Sequence, residues 1–69
     1  MTKMNKLIID AIDEKIFLMI ICDNNIYNVT HENSKTNYEK LTILINNFLI
    51  SINLKMDDIS TIYVNGGPG

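Results

Sequence analysis

The chain has 69 residues and a single cysteine, so it holds one domain at most and no internal disulfide. An apolar fraction of 46% with a charged fraction of 20% excludes a disordered chain. The net charge is −2, with six lysines and no arginine, which excludes a stand-alone nucleic-acid binder built on a basic patch. A domain of this size buries only about 60% of the surface its unfolded chain exposes. One cysteine and one histidine make a poor ligand set for a structural zinc. Support is therefore expected from a partner or from the rest of a longer protein.

Residues 7–9 are apolar and predict a first strand ending at Asp10. Ala11–Glu14 reads as a short break. Residues 16–21 form an unbroken apolar run, which suits a central strand covered on both faces. Asp23-Asn24-Asn25 signals a turn, since Asn and Asp tolerate left-handed backbone. Residues 26–30 give a third strand, so the three form an antiparallel meander.

Residues 31–35 read as a polar loop, with His31 solvated in it. Thr36 with Glu39 fits a capping box at a helix start. Leu41, Leu44, Ile45, Phe48, Leu49 and Ile52 then recur at helical spacing and mark one apolar face. Asn53 suits a left-handed helix end. Lys55–Asp58 is a connector with room for one helical turn, and Asp57 and Asp58 cap or solvate it. Residues 59–64 give a fourth strand, leading into Gly66-Gly67-Pro68-Gly69, where every glycine and the only proline are gathered.

The order is β-β-β-α-β, an α/β arrangement. A right-handed helical crossover sets the fourth strand parallel to the first. The helix covers one sheet face and nothing covers the other, so a second layer is expected from elsewhere. Ile43 and Ile50 lie on the helix opposite the core stripe, flanked by Asn46 and Asn47. Cys22 reads as a small buried hydrophobe. Tyr27, Tyr38 and Tyr63 fall on three different elements and make no base-stacking platform. The run 16–22 is far shorter than the ~20 residues a bilayer span needs. No secretory signal is visible, because acidic residues interrupt the first apolar run, and a cytoplasmic location is the expectation.

Several quoted stretches together resemble a known family. They are Ile9-Asp10-Ala11-Ile12 after a strand, Asn37-Tyr38-Glu39-Lys40-Leu41 at the helix start, Leu54-Lys55-Met56-Asp57-Asp58-Ile59 in the connector, and Gly67-Pro68-Gly69 after the last strand. In this order they resemble the beginning of the TsaB/TsaD (Gcp, or glycoprotease-like) group, and more closely its TsaB (YeaZ)-like branch. The likeness runs from about Lys6 to Gly69. It implies an actin/Hsp70-like ATPase fold, with residues 1–69 a truncated RNase H-like half-domain that lacks the following helix and the second half.

The resemblance also implies a role in making N6-threonylcarbamoyladenosine in tRNA. TsaB-like members are non-catalytic partners of a TsaD-type transferase. A TsaE-type ATPase joins the assembly, and tRNA is met only indirectly. ATP and magnesium then belong to the complex, and this chain is expected to carry no cofactor, metal or catalytic residue of its own. In the wider superfamily the position of Asp10 lies near the metal and phosphates of a nucleotide. Glycine or small hydroxyl residues usually follow it, whereas here Ala11 and Ile12 do, and Asp13 and Glu14 add negative charge. Asp10, Gly67, Pro68 and Gly69 are accordingly expected as a vestigial nucleotide-binding set. Family members use the N-terminal helices as partner surface, which assigns Ile43, Asn47 and Ile50 to an interface. Two other readings stand beside this one. One is a fragment of a TsaD-like transferase or another actin-fold ATPase. The other is a small α/β module that forms a homodimer through its uncovered sheet face.

Overall fold

A computed structural model describes residues 4–66. The elements run β1 (Asn5–Ile12), β2 (Lys15–Cys22), β3 (Asn25–Glu32), α1 (Lys35–Glu39), α2 (Leu41–Ser51), a 3-10 turn at Met56–Asp58, and β4 (Ile59–Gly66). They build one mixed sheet in the order β3-β2-β1-β4. β1 is antiparallel to β2 and parallel to β4, and β2 is antiparallel to β3. This is the α/β arrangement expected from the sequence.

Two tight hairpins set the register. Ile12 pairs with Lys15 and Cys22 with Asn25, so each loop has two residues. Asp13 and Asp23 stand first in these loops, at φ 60° and 55°. Positive φ there matches the strand twist, and an aspartate tolerates it better than a branched residue. β1 thus runs two residues past Asp10, correcting the strand end expected there. An outward-facing aspartate does not interrupt a ladder made by backbone groups.

The inner sheet face carries Leu7 and Ile9 from β1 with Ile16, Leu18 and Ile20 from β2, all buried. Phe48 and Leu49 of α2 close the same core, and Leu41, Leu44, Ile45 and Ile52 pack against it. All six apolar positions of the helical stripe therefore face the sheet. The other face of β2 presents Phe17, Met19 and Ile21, each half-exposed. Among the described residues α2 covers one face of β2 only, and the apolar outer face stays without the second layer that the sequence expects from elsewhere.

The helix begins differently from the expected capping box. Ser34 is the N-cap, and its hydroxyl accepts from the Asn37 N–H at 3.1 Å. Thr36 lies inside α1, and the helical segment breaks at Lys40 (φ −108°, ψ 29°) before α2. The far end follows expectation. Asn53 takes φ 64°, its N–H donates to the Ile50 carbonyl, and the Leu54 N–H donates to the Leu49 carbonyl at 2.8 Å. This paired closure satisfies two carbonyls that the helix end would leave free, and it turns Leu54 back onto the core. The Asp58 carboxylate accepts from the Lys55 N–H at 2.9 Å and closes the 3-10 turn.

One buried polar residue ties the crossover together. Asn5 is fully buried at the start of β1. Its side-chain amide donates to the Asp58 carbonyl at 2.9 Å, and its own carbonyl accepts from the Ser60 hydroxyl at 3.0 Å. The β1–β4 register shifts at this point, between Asn5 and Lys6.

Candidate functional site

The α2 surface opposite the core is the first candidate. Ile43 is 58% exposed and Ile50 63% exposed. At about 100° per residue, Ile43, Asn47 and Ile50 fall within about 60° of one another on the helix. Asn47 is exposed, and it borders a groove of about 440 Å³ between α2 and β3. Ile43 borders a second groove of about 230 Å³ with Asn46 and Met56. The three expected interface residues thus form one ridge with a groove on each side. A ridge of two isoleucines and an asparagine offers apolar contact without charge, which suits a protein surface better than a small anion.

Asp10 lies elsewhere. It projects from the central strand β1 on the sheet face away from α2, level with Phe17 and Asn65. Its Oδ1 is buried without a hydrogen-bond partner. The helix ridge and Asp10 therefore belong to opposite layers and do not form one site. Gly67, Pro68 and Gly69 lie outside the described residues.

The residues around Asp10 fit a nucleotide phosphate poorly. Ala11 and Ile12 remain in the ladder, and the loop that follows is Asp13-Glu14. That loop sets two carboxylates where a phosphate needs donors. We expect Asp10→Ala to leave nucleotide affinity unchanged when the chain is titrated calorimetrically with ATP and magnesium. A clear drop in affinity would restore Asp10 to a binding role.

His31 corrects the expected polar loop. β3 continues to Glu32, and His31 pairs with Ile16 on the inner face, half-buried and lining the α2–β3 groove. Cys22 is half-buried and packs against the core. Among the described residues no three histidine, cysteine or acidic side chains gather as a metal site. Among them, too, no helix is long and apolar enough to cross a membrane.

No family model matches the chain, and no curated protein matches it. Among solved structures it is similar to YeaZ from Pseudomonas aeruginosa, with a TM-score of 0.79 and 14% identity. The match covers 96% of this chain and 31% of that one, so the chain spans about a third of the length of the structure it resembles. The β-β-β-α-β order, the parallel β1–β4 pair and this overlay together establish a TsaB-like fold.

Proposed function

We propose that the chain is a non-catalytic, TsaB-like partner protein in tRNA N6-threonylcarbamoyladenosine biosynthesis. It pairs with a TsaD-type transferase through the outer ridge of α2. A TsaE-type ATPase completes the assembly, which holds any ATP and magnesium and contacts the tRNA. The observation that carries the reading is the YeaZ-like fold over nearly the whole chain. Two exposed isoleucines at the ridge give that fold an apolar contact surface. The poor fit of Asp10 and its acidic loop to a phosphate supports a partner role over a transferase role.

The test is co-purification with a tagged TsaD-type protein. The parent chain is recovered with it. Ile43→Asp combined with Ile50→Asp weakens the pairing by about ten-fold or more, because two charges enter an apolar contact. Circular dichroism of the double variant remains that of the parent, since neither side chain reaches the core. Equal recovery of parent and double variant would remove α2 from the interface.

A further inference from the structure

Among the described residues β3 ends the sheet, with β2 as its only neighbouring strand. The two pair over the full length of β3, from Asn25 to Glu32, without a bulge. Edge strands are commonly blunted by proline, lysine or a bulge, and β3 carries none of these. Its outward-facing groups follow from the hairpin. A two-residue loop closes on a hydrogen-bonded pair, here Cys22 with Asn25, and bonded and unbonded pairs then alternate along the ladder. Tyr27, Val29 and His31 therefore bond to β2. The N–H and C=O groups of Ile26, Asn28 and Thr30 point away from it, and among the described residues nothing else bonds them.

We propose that β3 binds an extended peptide as an added antiparallel strand, apolar at alternate residues and basic at its N-terminal end. A row of alternating donors and acceptors is matched by another extended backbone, and antiparallel pairing is the more stable kind. Residues opposite one another share a face, so peptide side chains opposite Tyr27, Val29 and His31 point to the α2 side. There the groove of about 440 Å³ receives them over Phe48, beside Asn47 and Ser51. The end of β3 sets the direction. Exposed Asp13, Glu14 and Glu32 surround a polar hollow in which Lys15 is the one cation. The opposite end of β3 has a single acid, Asp23, in its hairpin loop. An antiparallel strand begins at the Glu32 end, so lysines at its start meet the three carboxylates. This contact lies on the edge of the sheet and does not rest on the pairing proposed for the α2 ridge.

Fluorescence anisotropy of a labelled peptide, Lys-Lys-Val-Thr-Val-Thr-Val-Thr, titrated with the full chain tests the proposal. Saturable binding is expected. Asn28→Pro removes an outward N–H while leaving the β2–β3 ladder intact, and weakens binding by about ten-fold or more. Should that variant fail to fold by circular dichroism, the same loss is read on the parent chain with a proline in place of the peptide's central threonine. Glu14→Lys combined with Glu32→Lys weakens the lysine peptide by about ten-fold and makes Glu-Glu-Val-Thr-Val-Thr-Val-Thr the tighter ligand. Absence of saturable binding would overturn the proposal. So would equal affinity with and without the proline, or an unchanged preference after the charge reversal. A chain that dimerises through this edge and takes up no peptide would overturn it as well, and would assign β3 to a second copy.

Discussion

Leu18→Ala is expected to remove most of the chain's stability. Leu18 is fully buried at the middle of β2. It is paired to Ile9 of β1 on one side and to Val29 of β3 on the other. Phe48 and Leu49 of α2 close the same cluster. Truncation opens a cavity that three strands and a helix share, so no single neighbour can collapse into it. Such changes cost about 2–5 kcal/mol. For a chain of 69 residues the whole folding free energy is about 3–10 kcal/mol at ordinary per-residue values. The loss is therefore comparable to the total. With a slope of about 1 kcal/mol per molar urea, the unfolding midpoint falls by about 2 M or more, and the folded baseline shortens or vanishes. Ile50→Ala, on the exposed ridge, stays within about 0.5 kcal/mol of the parent. Equal urea midpoints for Leu18→Ala and Ile50→Ala would mean that α2 does not close on the sheet.

The contrast between these positions also shows what the sequence makes legible. The stripe Leu41, Leu44, Ile45, Phe48, Leu49 and Ile52 is readable because helical spacing alone tells which side chains share a face. Ile43 and Ile50 follow from the same wheel, as the residues left over. Asn53 is readable because few residues accept positive φ, and a helix end is where it is needed. The unbroken apolar run of β2 is readable in the same way: both of its faces are apolar, one helix can cover only one of them, and the other stays half-exposed.

Other features depend on partners far away in sequence. β3 is an edge strand, and its polar residues imitate a loop. His31 belongs to the inner face only because its neighbour Ile16 fixes the register. Thr36 with Glu39 and Ser34 with Asn37 are comparable local signals, and local pattern does not rank them. The break at Lys40 carries no glycine or proline to announce it.

Asn5 is the extreme case, since a lone asparagine before an apolar run gives no hint of burial. Its role rests on a carbonyl 53 positions later, at Asp58. Asn5→Asp is expected to expose that role through pH. The substitution is nearly isosteric, yet it exchanges the amide donor for an acceptor facing the Asp58 carbonyl. An ionised carboxylate there is buried, repelled and unpaired, at a cost of about 2–4 kcal/mol at pH 7. A protonated carboxyl keeps an O–H that can donate to the same carbonyl. Burial and the facing carbonyl both favour the neutral form, so the folded state holds the new carboxyl above its ordinary value of about 3.9. Between that value and the raised one the folded chain binds more protons than the unfolded chain. Stability therefore falls as pH rises through this window and is regained below it. Urea unfolding of the variant, with the parent subtracted at each pH, gives a deficit that is large at pH 7 and shrinks toward pH 3. Asn5→Ala, which removes the donor without adding a charge, loses about 1–3 kcal/mol with no added pH slope. A deficit for Asn5→Asp equal at both pH values would mean that the amide bond to Asp58 does not hold β1 to the start of β4. The crossover that sets α2 over the sheet would then have to be fixed by apolar packing alone.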